Sequence, residues 1–243
     1  MADDYFYIEV TNMFSPALLE IKIKKSHWWE RASLTIDNHY SNNSGIMLTH
    51  HLLAVHDNVK AIFNKPALGF YGDMFALLPQ LLLNKNEVEE ELKLVALLHD
   101  IGKPLEDKAL VMPHPLTGKP AHKRHGLVGL MAAMEIIGHE LAPMPEKRSR
   151  IYRTVELHDM SYGLFREFVA TGITPQNEKW NYINDKVHTV SGAGLLYLLL
   201  FKLADIHGHA EVDDVIWFYQ SVKEQYFDLL HVNLPIPLEA DIR

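Results

Sequence analysis

The stretch Leu94-Val95-Ala96-Leu97-Leu98-His99-Asp100-Ile101-Gly102-Lys103-Pro104 sets an imidazole beside a carboxylate where an apolar run meets glycine and proline. Proline cannot continue a helix, so the doublet falls at a helix end, where both side chains can turn toward one ion. A His-Asp pair alone is weak evidence. The chain has others at His56-Asp57 and His158-Asp159, and a polar residue near a helix C-terminus is the ordinary reading. The other members of the set add weight: His51 in His51-Leu52-Leu53-Ala54-Val55, His125 in His125-Gly126-Leu127-Val128-Gly129, His158 in Val155-Glu156-Leu157-His158, and Asp205 in Leu203-Ala204-Asp205. Polar groups on apolar helices need buried partners, and a metal ion supplies one. Imidazole and carboxylate suit a divalent transition metal (Mn, Fe, Ni, Co or Zn), and a chain without cysteine offers no thiolate.

In this order the residues resemble the HD superfamily of metal-dependent phosphohydrolases, whose pattern runs His, His-Asp, further His and a distal Asp on a late helix. The match spans Thr49 to Ala210. The resemblance implies an all-α HD-domain helical bundle. It makes His51 the first ligand, His99 and Asp100 the doublet, and Asp205 the last Asp, with Asp100 able to bridge to a second ion. The two-metal branch of the family adds two histidines, for which His125, followed by Gly129, and His158 are suitably placed. His122 lies three residues before His125 and could take its place, although Gly129 favours His125. His50 reads as an exposed neighbour of His51, and His207-Gly208-His209 as a helix end rather than a ligand motif. The 48 positions between His51 and His99 are more than in compact members of the family, which implies an inserted helix near 73–84.

The chemistry so implied is hydrolysis of a phosphate ester or anhydride, with one or two ions lowering the pKa of a bound water and placing the resulting hydroxide in line with phosphorus. Asp100 would orient that nucleophile or share its proton. Lys103, directly after the doublet, resembles a family lysine that faces the substrate phosphate, and Lys119, Lys123 and Arg124 follow on the next loop. Arg150 and Arg153 are similar cations on the way to His158. Trp28, Trp29, Tyr40, Phe70, Tyr71 and Tyr162 could stack on a base, although packing is the commoner role of such residues. Two other chemistries share the ligand pattern: a di-iron oxygenase of the same superfamily, and a metal-dependent nuclease whose His-Asp-x-Gly-Lys element matches His99 to Lys103.

The elements that must position these groups are helical from Ile46 onward. Leu48, Leu52, Val55, Val59 and Ile62 form one stripe, and further helices are expected near 73–84, 87–100, 124–140, 147–160, 190–209 and 211–231. The segment from Gly102 to Lys123 carries too many prolines and glycines for a helix and reads as a long loop beside the site. Residues 1–45 read as an N-terminal extension, a hairpin or irregular cap, because Tyr5–Val10 and Leu18–Ile23 alternate around Ser15-Pro16; residues 46–243 read as the hydrolase domain.

With 243 residues and 48% hydrophobic content the chain can bury a substantial core, and its apolar runs are too short for a membrane span. The start Met1-Ala2-Asp3-Asp4 lacks the features of a signal peptide, which together with the missing cysteine points to a cytoplasmic protein. A net charge of -8 disfavours long nucleic acid as partner and favours a small phosphorylated substrate such as a nucleotide. The apolar segment Leu229–Leu238 could dock a second copy in a homo-oligomer or pack on its own core.

Overall fold

The computed structural model describes residues 14–37, 45–104, 111–113, 120–122, 124–187, 193–206, 212–225 and 233–242. It is an all-α bundle whose elements run α1 (Pro16–Lys24), α2 (His27–Ser33), α3 (Leu48–Phe63), α4 (Gly69–Gln80), α5 (Lys85–Leu98), β1 (Val111–Pro113), β2 (Pro120–His122), α6 (His125–Leu141), α7 (Pro145–Leu157), α8 (Met160–Thr171), α9 (Asn177–Val187), α10 (Ala193–Asp205), α11 (Asp213–Gln225) and a final turn, α12 (Glu239–Ile242). No helix among the described residues is long and apolar enough to cross a membrane.

Local chemistry accounts for the helix starts. Asn84 caps α5 by accepting from the backbone N–H groups of Asn86 and Glu87, and Ser26 caps α2 by accepting from that of Trp29. Pro16 and Pro145 occupy the first turns of α1 and α7, where a missing N–H costs nothing. The core is assembled around α10, which is apolar on all sides and buried from Ala193 to Phe201, with α3, α5 and α7 packed against it.

The N-terminal expectation needs correction. Leu18–Ile23 is helical, within α1, and Leu19 and Ile23, four residues apart, are the pair that faces the core. Tyr5–Val10 lies outside the described residues. The α1–α2 layer packs on α5, α6 and α3. A single antiparallel bridge between Ile36 and Met47 then leads the chain into α3, with Asp37 N–H donating to the Ile46 carbonyl at 2.8 Å. The breaker-rich loop contains a short ribbon in which Val111 pairs with His122 and Pro113 with Pro120. Within the bundle, α8 and α9 were not anticipated either. The latter buries Trp180, Ile183 and Val187 at spacings of three and four. From Asn233 on, the C-terminal segment lies against its own core, with Leu234 buried.

Candidate metal centre

Six side chains converge from five helices. His99 caps the C-terminus of α5 and Asp100 follows it; His158 caps the C-terminus of α7; Asp205 is the last residue of α10. His51 projects from the first half of α3, and His125 is the first residue of α6. His51 and His99 are 0% exposed, Asp100 1% and His158 6%. Three helix C-termini therefore point at one interior spot, and each carries a partial negative charge that favours a cation there.

The ligand atoms fall into two groups that share Asp100. On one side, His51 Nε2 and His99 Nε2 are 3.2 Å apart, Asp205 Oδ1 is 3.5 and 3.3 Å from them, and Asp100 Oδ2 is 3.5 and 3.4 Å from them. On the other, His125 Nε2 and His158 Nε2 are 3.2 Å apart and each is 3.3 Å from Asp100 Oδ1. The sets His51, His99, Asp205 and His99, Asp100, His158 each bring their ligand atoms within 4.8 Å of one another, close enough to hold an ion.

Hydrogen bonds behind the rings aim these atoms. The Nδ1 of His99 donates to the Ala96 carbonyl at 2.9 Å, that of His125 to the His122 carbonyl at 3.0 Å, and that of His158 to the Val155 carbonyl at 2.8 Å. A carbonyl only accepts, so each bond fixes the tautomer, and in the neutral ring Nε2 presents a lone pair to the centre. For His99 and His158 the accepting carbonyl lies in the last turn of the preceding helix, where it has no helical donor. The sequence thus satisfies a helix end and orients a ligand with one bond.

Lone pairs and carboxylate oxygens facing one another at this distance repel unless a proton or a metal cation lies between them. The titration behaviour reflects the same field. Burial pulls the His99 imidazole down, but the Asp100 and Asp205 carboxylates pull it up further, to about 10. Burial raises both carboxyl groups, yet Lys103 and His99 hold Asp100, and His99 and His51 hold Asp205, well below the usual carboxylate range. Burial, aided by Lys103 and opposed by Asp100, pushes His125 down and leaves it neutral, the form that binds a metal. The site draws positive charge, and its donor set of imidazoles and carboxylates fits a divalent transition ion.

Asp37 was not foreseen. It is buried at the bridge before α3, with Oδ2 3.9 Å from His51 Nδ1, on the side of the ring away from the centre. At that separation the Asp37 carboxylate acts on the His51 ring through its charge, which favours a proton on Nδ1 and leaves Nε2 to face the centre. Nothing in the local sequence marks Asp37, because the chain fold brings it to His51. Lys202, one turn before Asp205, is likewise unforeseen and pairs with Asp214 at 2.7 Å.

The remaining expectations resolve residue by residue. Lys103 places its Nζ 2.5 Å from Asp100 Oδ2, on the edge of the centre. His122 contributes its backbone carbonyl to the ring of His125, and His125 supplies the imidazole to the cluster. His50 is exposed. Arg124 is exposed and starts α6 in a left-handed conformation (φ 59°). Lys119, Lys123, His207 and His209 lie outside the described residues. Arg150 is not available to a phosphate, since its guanidinium is held by Glu91 at 2.8 and 2.9 Å, and Arg153 pairs with Glu156. Phe70 and Tyr71 are core residues, Trp28 donates to Glu135 and Trp29 packs on the core. Tyr162 lies under the Arg166 guanidinium, and Tyr40 is outside the described residues.

Two glycines allow α6 to reach the centre. A Cβ on Gly126 would lie 2.5 Å from the Glu156 carbonyl oxygen, and one on Gly129 would lie 3.0 and 3.1 Å from the carbonyls of Leu98 and His99. Both positions let the start of α6 lie directly on α5 and α7, which carries His125 to His158.

Comparison with known proteins finds no family model and no curated protein that matches the sequence.

Proposed function

We propose that this chain is a metal-dependent phosphohydrolase that cleaves a phosphate ester or anhydride of a small molecule, with a nucleotide as the first candidate substrate. The observation that carries the reading is the split of Asp100: one oxygen faces the His51–His99–Asp205 group and the other the His125–His158 group. A buried carboxylate shared in this way suits two neighbouring ions, and paired ions are a recurrent solution for phosphoryl chemistry.

Ions bound here would polarise a phosphoryl oxygen and acidify a water. The chain's own residues supply the rest. Asp100 and Asp205 together carry too little negative charge to neutralise two divalent ions, so the loaded centre would be cationic and attract a phosphate group. Asp100, held ionised with the help of Lys103, faces both histidine groups and would orient a nucleophile between them. The Lys103 ammonium keeps partial access to solvent at 16% side-chain exposure, which places a positive charge beside the centre for an incoming phosphate. The buried histidine rings, with Phe201 edge-on to His99 at 5.2 Å, keep water away from the inner face of the site.

Elemental analysis of the purified protein and phosphate release from a panel of nucleotides test the proposal, for wild type and for the double variant His99→Ala, Asp100→Ala. One to two transition ions in the wild type, lost from the variant together with metal-dependent phosphate release, support it. Oxygen uptake by an iron-loaded protein that releases no phosphate would overturn it in favour of the oxygenase chemistry.

A further inference from the structure

A second polar cluster lies deep in the bundle, away from the ligands. Glu91 on α5 is 0% exposed and accepts two hydrogen bonds from Arg150 on α7, at 2.9 and 2.8 Å, and one from the Tyr197 hydroxyl on α10, at 2.6 Å. The Arg150 guanidinium also lies 5.4 Å from the centre of the Tyr197 ring, and Lys147 Nζ is 3.5 Å from Glu91.

The spacing of these residues along their helices is uniform. Glu91 precedes His99 by eight positions, Arg150 precedes His158 by eight, and Tyr197 precedes Asp205 by eight. At 1.5 Å per residue each step is about 12 Å along a helix. The three helices meet at both levels, since His99 Nε2 is 3.3 Å from Asp205 Oδ1 and the His99 and His158 rings are 4.9 Å apart. They therefore run in the same direction and share one axial register. The layer between the levels is apolar, with Leu94, Val95, Val155, Leu198 and Phe201 all buried. Such contacts are non-directional and tolerate sliding of one helix past another. The fork of Arg150 on Glu91 and the short phenol bond fix distance and angle.

We propose that Glu91, Arg150 and Tyr197 are positioning residues: a buried clamp that sets the register of α5, α7 and α10, so that His99, His158 and Asp205 arrive at one depth. The inference rests on the metal-centre reading above. The clamp touches no ligand and acts through three rigid helices.

Cobalt(II) is the probe, because its visible spectrum reports coordination geometry as well as occupancy. Tyr197→Phe removes one clamp bond and keeps the ring, while Glu91→Gln weakens the fork and keeps the shape. Leu78→Ala, in the ligand-free helix α4, serves as a control that loses stability by a cavity alone. Tyr197→Phe is expected to weaken cobalt binding about 10-fold, in the range seen for residues behind a ligand, and to shift the visible bands. Glu91→Gln should do more. Leu78→Ala, with an equal or larger drop in Tm, should keep the wild-type spectrum. Wild-type affinity and spectrum in Tyr197→Phe and in folded Glu91→Gln, or an equal change in Leu78→Ala, would overturn the clamp. A wild-type protein that takes up no cobalt would instead overturn the metal centre, and the clamp with it.

Discussion

His125 and His158 face each other through their Nε2 atoms at 3.2 Å, while the Nδ1 of each is engaged by a backbone carbonyl. Neither ring can turn its second nitrogen inward without losing that bond, so the pair has one inward-facing role to fill. Together with Asp100 Oδ1 it forms the half of the centre that His51 and Asp205 do not enter, while His99 borders both halves. His158→Ala should lower the metal content from two ions to one and leave the other half loaded. Asp100→Asn should deplete both halves. Elemental analysis of the two variants checks this, and loss of both ions from His158→Ala would mean that the halves are not separable.

Asp37 sits behind His51 and touches no proposed ion. Its replacement by asparagine removes the negative charge that supports the ring, with an expected loss of about 10- to 100-fold in metal affinity. Calorimetric titration of the metal-free protein measures it, and the deficit should fall on the half that contains His51.

The contact between α1 and α3 should depend on pH. His56 Nε2 lies 3.2 Å from Glu20 and its Nδ1 lies 3.3 Å from Asp57, with Lys24 near Glu20 and Lys60 near Asp57. Burial raises the Glu20 carboxyl, but His56 and Lys24 lower it further, to below its ordinary value of 4.5. A depressed folded-state pKa stabilises the fold above the unfolded value and loses that contribution as pH falls through the folded one. Glu20→Gln should therefore lower Tm at pH 6 to 7, and the gap to wild type should close as pH drops below 4.5. A gap that stays constant down to pH 3 would show that the ionic contact contributes nothing.

Gly126→Ala would place a methyl group 2.5 Å from the Glu156 carbonyl oxygen. Backbone cannot yield as a flexible side chain can, so α6 must shift. The expected cost is about 1–3 kcal/mol, read as a lower Tm. Because His125 is the adjacent residue, loss of one ion should accompany the drop.

Lys103→Met keeps the length of the side chain and removes its charge beside Asp100. Under the proposed hydrolysis the variant should retain its metal and lose about 100-fold in kcat. Unchanged turnover would reduce Lys103 to a structural partner of Asp100.

The all-α architecture was legible in the apolar helical stripes, and the set His51, His99, Asp100, His125, His158 and Asp205 was legible through its resemblance to an ordered family pattern; the structure brings all six side chains together. The N-terminal layer was not. In Leu19-Glu20-Ile21-Lys22-Ile23 a two-residue alternation and a four-residue spacing coincide, and only packing shows that Leu19 and Ile23 face inward while Ile21 is exposed. Arg150 was read as a candidate phosphate cation because charge is visible in a sequence and its partner is not; Glu91 lies 59 positions away. Asp37 and Lys202 escaped notice for the same reason, since proximity across the fold leaves no local mark.

The bridge between Ile36 and Met47 has a practical consequence. Composition changes near residue 46, and a fragment excised there would retain all six converging side chains. It would lack the carboxylate that backs His51 and the Arg31 guanidinium that holds the Pro104 carbonyl at 2.6 Å beside the His99-Asp100 doublet. Such a fragment would be an inferior chelator despite a complete ligand set, so the apparent appendage belongs inside any minimal unit.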